Sequence, residues 1–199
     1  MEYPAALSMT AHARHKQMCK MLRIAGTIEE SIVDGPGFRY VIFTQGCPHR
    51  CPGCHNPETH DFAGGHLIDP DVLVQDILKN PLLSGVTFSG GEPFCQAQVL
   101  SAVAEKLQGK KHLMAYSGYT FEQLLELPDP WVLKLLQKLT LLVDGPFVEA
   151  QKGLELHFRG SSNQRVLDVP ASLAVGQAVW LKGYQAQADK MIGANYREV

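Results

Sequence analysis

Apolar and polar positions follow two rhythms along the chain. Short apolar, β-favouring runs bounded by glycine or polar residues recur at YVIFTQ (Tyr40–Gln45), GVTFS (Gly85–Ser89), HLMAYS (His112–Ser117) and LTLLVD (Leu139–Asp144). Each reads as a buried strand. The stretches between them carry helical spacing. In DPDVLVQDILKN, Asp69 is placed to cap and Pro70 to open a helix that sets Val72, Leu73, Ile77 and Leu78 at helical intervals. CQAQVLSAVAEKLQG repeats the pattern with Val99, Leu100, Val103 and Leu107, stopped by Gly109. TFEQLLELPDPWVLKLLQK reads as two short helices split at Pro128 and Pro130. Cys95, heading the second pattern, is expected to be a small buried hydrophobe.

Strand and helix alternate, which predicts an α/β fold with parallel strands and helices outside. A complete eight-unit barrel typically needs about 250 residues. The chain supplies about half to three quarters of that, so an incomplete (β/α) barrel with an open side is expected. In an open sheet or a barrel alike, ligands sit at the carboxyl ends of the strands.

Composition narrows the classes. The 199 residues, 45% hydrophobic and 19% charged, suit one globular domain. Residues 1–22 read as a flexible N-terminal extension with no apolar core ahead of a cleavage site, and 23–199 as a single domain. A formal charge of −2 gives no reason to expect nucleic acid or an anionic membrane as partner. The longest apolar runs fall far below the roughly 18 residues of a membrane span. Five cysteines, Cys19, Cys47, Cys51, Cys54 and Cys95, make an odd count with three crowded together. That pattern suits a reducing compartment, the cytoplasm, better than a disulfide framework.

The crowded three lie in GCPHRCPGCHN, directly after the first predicted strand, and a GGEP loop directly follows the second. Two chemically loaded loops therefore share one rim. Cys47, Cys51 and Cys54 form C-x3-C-x2-C and can converge on one centre. His49, His55 or His60 would complete a structural Cys3His zinc site, the reading of an interaction module. Without a fourth protein ligand, three thiolates leave a metal centre an open position, which is the mark of a site that does chemistry. Gly90 and Gly91 let backbone approach a ligand, and Glu92 with nearby carbonyls can accept from an ammonium group; a plain turn is the alternative.

The cysteine spacing and the GGEP loop together resemble the radical S-adenosylmethionine superfamily. That resemblance implies a [4Fe–4S] cluster on Cys47, Cys51 and Cys54, with its open iron chelating S-adenosylmethionine. It further implies cofactor contacts from Gly53, Cys54, His55, Gly91 and Glu92, and no side-chain acid or base. Many members carry an aromatic residue before the third cysteine; here it is Gly53, so adenine stacking is expected from His55 or Tyr119.

SIVDGPGFRYVIFTQGC and CHNPETH are similar to the activases of glycyl radical enzymes. Cys54-His55-Asn56 is similar to those serving pyruvate formate-lyase. LLVDGPF (Leu141–Phe147) and FRGSSNQR (Phe158–Arg165) are similar to those serving anaerobic ribonucleotide reductase. The resemblance covers about residues 24–168. It implies a large glycyl radical enzyme as partner, with the anaerobic reductase favoured, a flavodoxin- or ferredoxin-type electron donor, and oxygen lability. FRGSSNQR also reads as a solvated turn; the functional expectation is that Arg159 or Arg165 fixes a carboxylate or the partner's backbone.

Overall fold

A computed structural model describes residues 21–185. A single sheet organises them, with strands β1 (Leu22–Ser31), β2 (Arg39–Thr44), β3 (His66–Ile68), β4 (Gly85–Gly90), β5 (His112–Tyr116), β6 (Leu141–Asp144) and β7 (Arg165–Asp168). Their order across it is β3-β1-β2-β4-β5-β6-β7. The four predicted runs are the parallel centre, β2, β4, β5 and β6. The expectation of parallel strands alone needs correction: β1 runs against β2, and β7 against β6. Both flanking strands were hidden in the sequence. β1 is buried only at its ends and breaks register twice, between Ile24 and Gly26 and between Ile28 and Ser31, and β7 is four residues long behind a polar run.

Helices α1 (Pro70–Lys79), α2 (Ala97–Leu107), α3 (Phe121–Glu126), α4 (Pro130–Leu136) and α5 (Val169–Val175) connect or follow the strands. Asp69 caps α1 by accepting from the Asp71 N–H, with Pro70 at the first helical position. Thr120 and Gln123 form a reciprocal capping box on α3. The split between α3 and α4 falls at the expected prolines. The major core joins Tyr40, Ile42, Val86, Phe88, Leu113 and Leu142 of the sheet to the helices. A smaller cluster of Met114, Leu141, Val143 and Val166 packs with Phe158, Leu181 and Tyr184.

Leu22, assigned by the sequence to the extension, is the first residue of β1 and wholly buried. Residues 1–20, Cys19 among them, lie outside the described residues. Cys95 is also corrected: it is exposed, because Phe94 beside it fills the core position on the short turn Pro93–Gln96. Among the described residues no helix is long and apolar enough to cross a membrane.

Arg39 in the GPGFR segment is wholly buried, where an unpaired cation would be costly. Its Nε donates to Thr87 Oγ1 at 2.6 Å, and its Nη2 to the carbonyls of Val86 at 2.6 Å and His112 at 3.1 Å. Burial lowers its pKa to about 10, still well above neutrality. The segment's role is therefore legible as structure: a cation stitches the starts of β2, β4 and β5 together below the rim.

Candidate functional site

The cysteine loop leaves β2 at Gln45 and curls back on itself. Gly46, Arg50 and Gly53 stand at φ 97°, 48° and 68°, left-handed turns that bend the backbone around the cysteines. Return-loop carbonyls hold the base: Gly46 N–H donates to Thr59 and Cys47 N–H to His60. The Gln45 amide donates to the carbonyls of Glu58 and Asp61. Cys47 is buried, Cys51 and Cys54 are half-buried, and all three thiols are free. Burial pushes the Cys47 thiol up, opposed by the N–H groups of His49 and Arg50 that face it. Asn56 N–H donates to Cys54 Sγ at 3.4 Å. Backbone donors aimed at sulfur stabilise thiolate and tune an iron–sulfur centre.

The GGEP loop is clasped directly to this one. Gly91 N–H donates to the Thr44 carbonyl and Glu92 N–H to the Gly46 carbonyl, both at 2.8 Å. A Cβ on Gly91 would stand 2.4 Å from Gly46 O, so this glycine exists for contact between the loops. The close approach that its missing side chain was expected to allow is made here to the backbone of the neighbouring loop.

The Glu92 side chain is engaged within the protein. It is wholly buried and turned inward rather than offered to a ligand ammonium. It accepts from Phe94 N–H at 3.1 Å, Ser117 Oγ at 3.1 Å, Gly118 N–H at 2.9 Å and His49 Nε2 at 2.9 Å. Those donors fill the lone-pair sites of one carboxylate. Glu92 is thus a hub joining the loops after β2, β4 and β5. Sequence reasoning missed Ser117 and Gly118, although their position after a predicted strand was a usable signal.

His55 is exposed and packs on Phe147, ring centroids 4.8 Å apart. Tyr119, the other expected stacking residue, is committed edge-on to His49 at 4.4 Å. A Cβ on Gly53 would lie 2.8 Å from the Glu149 carboxyl carbon. Phe147 and Glu149, both past β6, thus flank the third cysteine, and nothing in the sequence marked Glu149.

FRGSSNQR does turn at Ser162–Asn163, with Asn163 exposed, but its two arginines are engaged within the protein rather than held open as an anion clamp. Arg159 is 5% exposed, donating from Nη1 to the Gln164 carbonyl, with its guanidinium 5.6 Å from the Trp180 ring. Arg165 does hold carboxylates, but this chain's own: Nε donates to Asp144 Oδ1 at 2.9 Å and Nη2 to Glu122 Oε2 at 2.7 Å. Gln164 bridges the Gly145 carbonyl to the N–H groups of Gly160 and Ser161. The motif binds the loop after β6 to β7.

The donor set is three free thiols on one tightly curved loop, with backbone N–H groups directed at Cys47 and Cys54, a set suited in kind to an iron–sulfur cluster; among the described residues no three His, Cys, Asp or Glu side chains are grouped so as to hold a single metal ion. The Nε2 of His49 is taken up by Glu92. The His60 Nε2 is buried with no hydrogen-bond partner among the described residues.

Comparison with known proteins bears on the same loop. Residues 33–167 match the family described as a 4Fe-4S single cluster domain. The anaerobic ribonucleoside-triphosphate reductase-activating protein of Vibrio cholerae is 34% identical over 143 residues, covering 67% of this chain and 89% of that protein. Its namesake from Escherichia coli is 31% identical over 144 residues, 68% of this chain and 91% of that protein. The pyruvate formate-lyase-activating enzyme of Clostridium pasteurianum is 38% identical over 119 residues, 55% of this chain and 50% of that enzyme. With three thiols curled at the end of β2 and a GGEP loop clasped to them, the chain belongs to the 4Fe-4S single-cluster family, among the radical S-adenosylmethionine activating enzymes.

Proposed function

We propose that this chain activates a glycyl radical enzyme, with anaerobic ribonucleoside-triphosphate reductase as its substrate protein. The observation that carries the reading is the clasp between a three-thiol loop and the GGEP loop through Glu92. Cys47, Cys51 and Cys54 would hold three irons of a [4Fe–4S] cluster and leave the fourth for the amino and carboxylate groups of S-adenosylmethionine. When bound, the cluster and S-adenosylmethionine would supply reductive carbon–sulfur cleavage with one electron from a flavodoxin- or ferredoxin-type donor, the chemistry that removes a hydrogen atom from a partner glycine.

The chain's own residues bind and orient. Backbone N–H groups of His49, Arg50 and Asn56 offset thiolate charge. Main-chain carbonyls of the Gly91–Glu92 turn receive the ligand ammonium, while the Glu92 side chain braces the turn from behind. Gly53, Cys54 and His55 face the adenine end, and the His55–Phe147 pair supplies the apolar surface that Gly53 lacks.

The sheet has two edges, β3 and β7, rather than a closed ring. We read it as an incomplete barrel, the described residues 21–185 forming a single domain whose open side admits a partner loop. Free thiols and an oxygen-sensitive cluster suit the reducing cytoplasm.

A second reading, activation of pyruvate formate-lyase, is favoured by the 38% identity to such an enzyme. Anaerobic reconstitution followed by incubation with S-adenosylmethionine, reductant and each candidate partner separates the two. A glycyl radical doublet in electron spin resonance should appear on the reductase. Its appearance on the lyase alone would reassign the partner. A colourless protein holding one zinc and leaving S-adenosylmethionine intact would replace the enzyme with a Cys3His module.

A further inference from the structure

We propose that His49 is a positioning residue. Its imidazole latches the arm of the loop between Cys47 and Cys51 onto buried Glu92 and so fixes the thiols relative to the GGEP turn. The proposal rests on reading the cysteine loop as the holder of a [4Fe–4S] cluster.

The latch is built from both sides. His49 Nε2 lies 2.9 Å from Glu92 Oε2, a direct imidazole–carboxyl hydrogen bond. The ring is boxed in by Tyr119, edge-on at 4.4 Å with 73° between the planes. Beneath it lies Gly118, where a Cβ would stand 2.3 Å from His49 Cδ2. Any other residue at 118 would push the imidazole off the carboxylate. The His49 side chain is only 17% exposed and Glu92 is fully enclosed, so water competes poorly for the bond.

The backbone bonds from Gly91 and Glu92 reach Thr44 and Gly46, which precede Cys47. They fix the base of the cysteine loop. His49 fixes its arm, two residues from a thiol on either side. A ligand held at one end by the GGEP turn and at the other along Gly53–His55 must span both loops. Its affinity therefore depends on their separation being set before it arrives. Outer-shell partners of metal sites act in this way.

The test uses the full chain, reconstituted anaerobically with iron and sulfide, as wild type, His49→Ala and His49→Gln. In His49→Ala, Glu92 keeps its donors from Phe94, Ser117 and Gly118, so the fold is retained, and circular dichroism of the metal-free proteins checks this. All three proteins should bind equal iron and sulfide. S-adenosylmethionine binding to the oxidised protein, read by equilibrium dialysis, should weaken about tenfold in His49→Ala, the scale of one hydrogen bond to a charged group. The reduced cluster's spin-resonance signal should then respond less to a ligand concentration that saturates wild type. His49→Gln, whose amide can still donate, should lie nearer wild type than His49→Ala on both readouts; if His49→Ala fails to fold, His49→Gln must show intact iron and near-wild-type binding.

Equal affinity in wild type and His49→Ala would overturn the proposal. So would loss of iron in a folded His49→Ala, which would make His49 a metal ligand. Failure of the wild type itself to take up iron and sulfide is seen before any variant is compared, and it would overturn the cluster reading beneath.

Discussion

Two carboxylates are wholly buried at strand ends of this sheet, Glu92 after β4 and Asp144 closing β6, and they are satisfied by opposite chemistry. Glu92 takes hydrogen bonds from a hydroxyl, two backbone N–H groups and an imidazole. Asp144 takes a two-pronged bond from the Arg165 guanidinium, with Phe121 N–H as a further donor. The first hub joins the loops that carry thiols and GGEP. The second locks β6, β7 and α3 together. A guanidinium fork gives a rigid, geometrically exacting tie, whereas separate small donors let three loops meet at one point while each keeps its own course. The ligand side and the anchoring side of one rim are thereby distinguished by what neutralises a buried acid.

The largest effect that separates the two sides is loss of a thiol. Cys51→Ser should reduce iron and sulfide uptake to background and remove S-adenosylmethionine cleavage, measured after anaerobic reconstitution. Urea unfolding of the metal-free chain should stay within about 0.5 kcal/mol of wild type, as for a partly exposed substitution away from the core. Arg165→Met should do the reverse. It strands Asp144 without its cation and should cost about 3 kcal/mol in the same unfolding experiment, while folded protein takes up iron normally. Loss of iron in folded Arg165→Met would erase the division.

How much of this division the sequence carried depends on the kind of signal involved. Cys47, Cys51 and Cys54 are close in sequence, and metal-ligand spacing is local, so the loop was legible before the fold. The central strands were legible because each is a short apolar run. β1 was not, since Ile28 is exposed and Glu29 and Glu30 face solvent beside register breaks. The roles of Glu92 and Arg165 were misread for one reason: a charged residue in a suggestive motif was taken to face a ligand. Both side chains instead meet partners far along the chain, Ser117 and His49 for one, Asp144 and Glu122 for the other. A single sequence can place such partners on the same rim, as it does Ser117, but does not state which side chains meet there.

Two glycines sharpen the ligand side on a smaller scale. Gly91→Ala drives a methyl into the Gly46 carbonyl at 2.4 Å, backbone against backbone, so the clasp must open. Overpacking of that kind costs about 2 kcal/mol and should also weaken S-adenosylmethionine binding. Gly53→Ala meets only the tip of the Glu149 side chain, which can swing away, and its cost is chiefly the left-handed φ of 68°, about 1 kcal/mol. Urea midpoints with unchanged slopes should rank the two in that order. Equal effects would show that the close approach of the loops is unimportant.

The smallest effect lies on the anchoring side and depends on pH. Hydrogen bonding from Arg165 holds the Glu122 carboxyl down to about 2, against an ordinary value of 4.5. The folded value is the lower one, so on acidification the unfolded chain takes up the proton first. The pairing contributes in full above pH 4.5 and is lost as pH falls through about 2. Glu122 is 47% exposed, and solvent screening keeps its share below about 1 kcal/mol. The stability difference between wild type and Glu122→Gln should therefore be constant from about pH 5 to 7, fade toward pH 2, and shrink in high salt. A difference that persists unchanged at pH 2 would assign the effect to packing on α3. Asp144 would then be the sole electrostatic partner that matters to Arg165, and the anchoring hub would reduce to one buried pair.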